Sequence, residues 1–314
     1  MRKVVVLGGS AGGIEALCTV LKDLPADVPA SLLAVIHMGE GENMLPAVLQ
    51  RCTKLKVESP TTHPEPIEAG RVYVARPNQH LSVHDGCVLA THGPRENRHR
   101  PAIDTLFRSA ARAYRSKVIG VILSGALDDG VAGALAIEAR GGTIVVQDPK
   151  SAQNREMPAN VLRQIKTEHC LPLPEIAPLL VKLANNGEEI KGGKTNAEEC
   201  VSPEEENEGL PITEPLDYTC PECNGSLLRI TTGSTEQYRC NVGHIYSLES
   251  FSAAHSNAVE RALWMALQRL NEQRSIQEHL AKRCKDSSMK RRHHENAAAA
   301  AEDMRLLKEI LARL

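Results

Sequence analysis

The sequence predicts an α/β fold: a mostly parallel sheet covered by helices on both faces, in three layers, followed by two smaller units. Three observations carry this. Runs of consecutive apolar residues, clearest at VVVLG (4 to 8), LLAVIH (32 to 37), VIGVILSG (118 to 125) and GTIVVQD (142 to 148), lack the alternation of a strand with one wet face. Amphipathic stretches separate these runs, as crossover helices between parallel strands would. At 314 residues the chain also exceeds what a single core usually absorbs, so two or more units are expected.

In chain order, Val4 to Leu17 reads as a strand, a turn of Gly8, Gly9, Ser10, Ala11, Gly12 and Gly13, and a helix. The second strand ends at His37. RVYVA (71 to 75) and HLSVHDGCVLATH (80 to 92), bent at Asp85-Gly86, read as a hairpin attached to the sheet. Asn97 to Pro101 is a polar loop before a helix near Ala102, and the strand from 118 runs into Ala126-Leu127-Asp128-Asp129-Gly130. Residues 1–184 are expected to form the α/β domain. Residues 185–217 change to Gly, Pro, Asn and Glu, the composition of an acidic flexible linker. A cysteine-rich module, 218–246, and a helical module, 247–314, complete the chain. In the latter, Val259, Leu263, Leu267 and Leu270 share one face, and Met304, Leu307, Leu311 and Leu314 recur at helical spacing. Asp286 to Arg292 is expected to turn between two helices, with the basic cluster Lys290 to His294 solvated. A hairpin closing on itself and a partner-binding coil are both open readings.

Net charge is −2, and no long apolar run or cleavable leader is visible, so a cytoplasmic protein without direct membrane insertion is expected. The balanced charge argues against nucleic acid as the partner. Nine cysteines, an odd number, read as thiols and metal ligands rather than a disulfide framework. Cys18, Cys52, Cys87, Cys170, Cys200 and Cys284 show no partner spacing.

The glycine-rich turn can cradle a phosphate or hold up a nucleophile. A dinucleotide fingerprint wants Gly at positions 8, 10 and 13 and an acid closing the second strand; position 10 is Ser and the strand ends in His37. Gly8-Gly9-Ser10-Ala11-Gly12 instead fits G-x-S-x-G, where small neighbours let a sharp turn expose a serine hydroxyl. His37, at the carboxyl end of a neighbouring strand, supplies a base, and the Asp128-Asp129 pair brings a carboxylate to the same sheet edge to orient the imidazole. The expected oxyanion donors are backbone N–H groups near Gly125 and Ala126.

Cys220-x-x-Cys223, then sixteen residues, then Cys240 and His244, gives two ligand pairs flanking a predicted hairpin over Leu227 to Tyr238. Four such ligands suit tetrahedral zinc and leave no place for water, so a structural Zn2+ is expected, with no cofactor for catalysis.

The stretches GGSAGGIEAL, VIHM, NRHRPAIDTLF, GVILSGALDDGVAGALAI and MPANV together resemble the catalytic domain of the chemotaxis protein-glutamate methylesterases (CheB), over about residues 1 to 184. The resemblance implies a doubly wound α/β domain with Ser10 as nucleophile, His37 as general base and acid, and Asp129 as third member; Asp128 falls where the family often has Asn. It implies a methylated chemoreceptor-type protein as substrate, glutamine deamidation as a related activity, and Arg98 and His99 at the mouth of the site. Such enzymes usually carry a receiver domain ahead of the catalytic one. Here the motif begins at residue 4, so phosphorylation within this chain is in doubt as a control, any phosphorelay control must come from another protein, and a separate receiver or methyltransferase protein is the candidate partner. The reading is therefore a hydrolase of glutamate methyl esters. Its rivals are a silent signalling scaffold that binds a receptor or methyltransferase, and a nucleotide-dependent oxidoreductase, which Ser10 and His37 disfavour.

Overall fold

Seven parallel strands form the central sheet of the computed structural model, which describes residues 3–39, 41–185, 212–232 and 235–313. In chain order the elements are β1 (Lys3–Gly9), α1 (Gly13–Lys22), β2 (Ala30–Ile36), α2 (Leu45–Gln50), β3 (Lys56–Glu58), β4 (Glu65–Pro66), β5 (Arg71–Val74), β6 (His80–His84) and β7 (Cys87–Thr91). Then follow α3 (Ile103–Tyr114), β8 (Val118–Ile122), α4 (Val131–Ala139), β9 (Thr143–Gln147), α5 (Glu156–Gln164), β10 (Cys170–Leu171) and α6 (Leu173–Asn185). The strand order is β10-β9-β8-β1-β2-β5-β3. The chain winds outward from β1 through β2 to one edge, then returns through β8 to the other. The crevice outside the carboxyl ends of β1 and β8 is thus the topological switch point, where doubly wound folds bind ligands.

Strand periodicity explains why the apolar runs are unbroken. Val5 and Leu7 of β1 enter one core with Leu17 and Leu21 of α1 and Ile176 and Leu180 of α6. Val4 and Val6 point the other way, against Ile103 and Phe107 of α3, Ile137 of α4 and Met157 of α5. The inner strands β1, β2, β5, β8 and β9 each feed two cores, so neither face of the sheet's centre carries the polar positions that would mark a wet sheet.

The predicted hairpin divides. β5 joins the parallel sheet beside β2, whereas β6 and β7 pair antiparallel in a separate three-stranded sheet with β4. Asp85 and Gly86 take the left-handed conformation (φ 44° and 80°) that a two-residue hairpin turn requires. Apolar pattern alone could not separate them, because a fully buried parallel strand and the inner face of a hairpin are both short β-branched runs.

Cys18 and Cys52 are not ordinary thiols: they form a disulfide with Cα atoms 5.3 Å apart. They lie 34 residues apart, one on α1 and one just after α2, and only the packing of those helices brings them together. Cys200 and most of the predicted linker lie outside the described residues. Ile212 to Asp217, read as linker, belong to the strand β11 (Ile212–Thr219). With β12 (Ser226–Thr232), β13 (Thr235–Cys240) and β14 (Ile245–Tyr246) it forms a four-stranded antiparallel sheet.

Residues Met1–Ser250 form one compact unit and Phe251–Leu314 a second. The long helices are α7 (Leu248–Arg283) and α8 (Ser287–Leu311). The turn between them is shorter than predicted, and Lys290 to His294 lie inside α8. Asp286 caps α8 by accepting hydrogen bonds from the Ser288 and Met289 N–H groups at 2.8 and 2.9 Å, which starts the helix ahead of the basic cluster. The helices meet as a hairpin, with His293 Nδ1 2.7 Å from Gln277 Oε1. Leu267 is buried and Leu263, Leu270, Met304, Leu307 and Leu311 are half-buried, whereas Val259 is exposed. Among the described residues, no helix is long and apolar enough to cross a membrane.

Candidate active site

Backbone hydrogen bonds continue the sheet beyond its last regular residues and set Ser10 and His37 at one level. Ser10 N–H donates to the Ser124 carbonyl at 2.9 Å, carrying the β1–β8 pairing into the turn, and His37 N–H donates to the Gly9 carbonyl at 3.0 Å on the β2 side. Gly12 has φ 74°, a left-handed conformation that brings the chain from Ser10 into α1 within two residues. A Cβ there would also fall 2.4 Å from Gln153 Oε1. Ser124 braces the turn from below: its hydroxyl donates to the Ala11 carbonyl at 2.7 Å and accepts from Asn154 N–H at 2.8 Å.

His37 Nε2 lies 2.7 Å from Asp129 Oδ2. Its Nδ1 is buried without a hydrogen-bond partner, on the imidazole next to Ser10 in the β1–β2 register. The ring is thus held with its proton on the carboxylate side and a free lone pair on Nδ1. The Ser10 hydroxyl is not yet hydrogen-bonded to that nitrogen, a looseness common before substrate binds. The carboxylate of Asp129 is saturated: Oδ2 also accepts from Ile103 N–H at 2.7 Å, and Oδ1 accepts from Asn97 Nδ2 at 3.1 Å and Asp104 N–H at 3.2 Å. Burial alone would push its pKa up. The hydrogen bond from His37, the attraction of that ring when it is protonated and the Ile103 N–H outweigh burial and hold it well below the usual carboxylate range.

Asp104, buried beside it, is driven the other way by burial and by the charge of Asp129. It accepts from the Gly130 and Gly133 N–H groups and from Asn97 Nδ2 at 2.9 Å. One amide, Asn97, therefore bridges the two carboxylates. Asp128 faces away from His37, and burial raises its carboxyl to about 6, partly offset by a hydrogen bond from Ser247. A cavity of about 240 Å³ opens by Asn97, Asp104, Asp128 and Ser247; it reaches the rear of this carboxylate cluster, and Ser10 does not line it.

Of the two predicted mouth residues, His99 stacks on His37 with ring centroids 3.6 Å apart and planes 11° apart. Burial, with the neighbouring His37 charge, lowers its pKa to about 4, so a neutral ring covers the imidazole. Asn97 and Arg98 form the centre of a tight turn with positive φ at both (48° and 71°), closed by reciprocal hydrogen bonds between Glu96 and His99. That turn aims Asn97 inward and His99 over the His37 ring. His80 pins the same loop: Nε2 donates to the Pro94 carbonyl at 2.8 Å and Nδ1 accepts from Ala102 N–H at 3.2 Å, in a ring that burial keeps below its ordinary pKa.

Asn97, Asp104 and His80 escaped the sequence reading. Asn97 sat inside a quoted motif but was overshadowed by its charged neighbours, and Asp104, in the same motif, stands in the first turn of a helix, where an acid draws no notice. Gly125 corrects another expectation. Its N–H donates to the Asn154 carbonyl at 3.1 Å, so it is not a free oxyanion donor. What the position needs is smallness: a Cβ would lie 2.6 Å from Met157 Cε and 3.0 Å from Ser10 Cβ.

The ligand atoms of Cys220, Cys223, Cys240 and His244 lie within 4.8 Å of one another. Cys223 Sγ is 3.6 Å from Cys240 Sγ, and His244 Nδ1 is 3.6 and 3.4 Å from the sulfurs of Cys220 and Cys240. A tetrahedral ion with Zn–S and Zn–N distances of about 2.3 and 2.0 Å separates its ligands by roughly 3.5 to 3.8 Å, so the donor set fits. His244 Nε2 faces Glu222 at 3.4 Å, an orienting carboxylate of the kind metal-bound imidazoles usually have.

The sequence model of the CheB methylesterase family matches residues 5–180, more than half of the chain. A Leptospira interrogans protein is 38% identical over 188 residues, 59% of this chain and 96% of that one; its name carries protein-glutamate methylesterase/protein-glutamine glutaminase as a provisional assignment. A Myxococcus xanthus protein-glutamate methylesterase/protein-glutamine glutaminase is 37% identical over 57% of this chain and 53% of its own. The chain thus spans about half the length of that relative. The crystal structure of the Thermotoga maritima CheB methylesterase catalytic domain superposes with a TM-score of 0.55 at 32% identity, covering 58% of this chain and 99% of that one. The strand order, the serine turn at the switch point and these matches together show that the chain belongs to the CheB methylesterase family of carboxylic ester hydrolases.

Proposed function

We propose that this chain hydrolyses the methyl esters of glutamate side chains on a methylated chemoreceptor-type protein, with Ser10, His37 and Asp129 as a catalytic triad. The observation that carries the reading is the buried, unpartnered Nδ1 of an imidazole whose Nε2 is held by a saturated carboxylate. Ser10 Oγ attacks the ester carbonyl as Nδ1 takes its proton. Asp129 stays ionised and stabilises the imidazolium. The Nδ1 proton then passes to the departing methoxide oxygen, methanol leaves, and an acyl-serine remains. Water attacks that ester with Nδ1 again accepting the proton, and the proton returns to Ser10 as the glutamate is released. The start of α1 at Gly13, three residues beyond Ser10, turns the positive end of the helix toward the developing oxyanion.

Deamidation of glutamine is a second activity favoured by the paired names of the relatives; the same acyl-serine forms, with ammonia as the leaving group. Cys220, Cys223, Cys240 and His244 are read as a structural zinc site, supported by a complete four-atom donor set. The test of the reaction is methanol release from a methylated receptor fragment, comparing the wild-type chain with Ser10→Ala. Release is expected to fall to background in the variant. Absence of release from a folded wild-type chain would favour the scaffold reading.

A further inference from the structure

The predicted metal module docks on the loop that carries Asn97. His244 is followed by Ile245, whose carbonyl accepts from Asn97 N–H at 2.8 Å and whose N–H donates to the Arg95 carbonyl at 3.3 Å. Gly243 sits against Pro94, where a Cβ would come within 3.0 Å of Pro94 Cγ. The Asn97 side chain, 4% exposed, completes the link. Its Oδ1 accepts from Ser247 N–H and from Ser250 Oγ, both at 3.0 Å. Its Nδ2 donates to Asp104 Oδ2 and Asp129 Oδ1. The amide orientation is chemically forced, because the ionised Asp129 needs a donor and the Ser247 backbone N–H needs an acceptor.

We propose that the knuckles of Cys220, Cys223, Cys240 and His244, closed on a zinc ion, hold Asn97 against Asp129 and so make the geometry of the triad dependent on the metal. This rests on the esterase reading. Asn97 is a positioning residue: it touches Asp129 and not the substrate. Three of its hydrogen bonds lead to the segment just after His244. Without the ion the two knuckles have no common anchor, Ile245 to Ser250 lose their fixed start, and the buried Oδ1 is left without donors. An amide free to rotate can then present oxygen to the ionised Asp129, which repels it from the position that holds His37. The site thereby couples esterase activity to metal loading through a chain of hydrogen bonds wholly within residues Met1–Ser250.

The test uses the full-length chain. Metal analysis should find one zinc ion per chain, and a chain purified active without zinc overturns the proposal. Wild type, Asn97→Ala, Cys223→Ser and the double variant are compared by steady-state kinetics, with far-UV circular dichroism to confirm the α/β domain. Each single variant should lower kcat about ten- to hundredfold with KM little changed, as misplacement of a catalytic group does. The double variant should be no worse than the poorer single one, since both act on one link. Losses that multiply would overturn the proposal. The independent readout is the low-field proton resonance of His37 Nε2–H on Asp129: it should be lost or shifted when a chelator strips the wild type and return when zinc is restored. An unchanged resonance in the stripped chain also overturns the proposal. A chain that shows the metal-dependent resonance but hydrolyses no ester would sink the esterase reading alone.

Discussion

Asp128 and Asp129 are neighbours in the chain with opposite acid strengths. Asp129 faces His37 and three further hydrogen-bond donors, which together hold its pKa below 3.8; its contribution to stability is present above about pH 4 and lost as pH falls further. Asp128 is raised from 3.8 to about 6 by burial, so the folded state holds that proton more tightly than the unfolded chain. Its effect is a loss of stability as pH rises from about 4 to 6. Asp128→Asn should remove that slope and stabilise the protein at pH 7 by about 1 to 3 kcal/mol. Urea unfolding of both chains between pH 4 and 8 checks this; parallel curves would show that Asp128 ionises without cost. Neutral His99 stacked on His37 lets the base become cationic without a like charge beside it.

At the scale of elements, α3 and α4 approach so closely that Gly133 is required between them. A Cβ at that position would lie 2.4 Å from Phe107 Cβ and 3.2 Å from the Asp104 Cα. Gly133→Ala should cost about 1 to 3 kcal/mol of stability through overpacking, read as a lower urea midpoint. It should also reduce esterase activity, because Gly133 N–H and Asp104 belong to the network behind Asp129. A variant as stable and as active as wild type would contradict this account. The strands and helices of the α/β domain were legible because fully buried parallel strands write themselves as unbroken apolar runs. The division between β5 and the β6–β7 hairpin was not, since local pattern carries no record of which sheet a strand joins. The start of α8 was misread for a related reason: a run of charges looks like a turn until the capping by Asp286 is seen.

At the scale of the whole molecule, the sheet of β11 to β14 belongs to the same compact unit as the α/β domain, and residues Phe251–Leu314 form another. Calorimetry of the zinc-loaded chain should therefore resolve two transitions. Chelation should lower the one from Met1–Ser250, by removing a ligand bound to the folded state alone, and leave the helical transition in place. A helical transition that moved equally would show that the units unfold as one.

By itself the sequence determined the sheet class, the serine turn at the end of β1, a histidine after β2 and an aspartate after β8 at the same sheet edge, and a candidate set of four metal donors. Each of these is written in a local pattern: a buried run, a G-x-S-x-G turn, a C-x2-C pair followed by C-x3-H. Only the tertiary structure decided that Cys18 meets Cys52, that Nδ1 of His37 is the free nitrogen, and that Asn97 joins Asp129 to the segment after His244. Those facts depend on contacts between residues up to 153 apart in the chain, as for Asn97 and Ser250, and on which side of a ring or an amide the fold presents. Spacing along a chain holds no information about either.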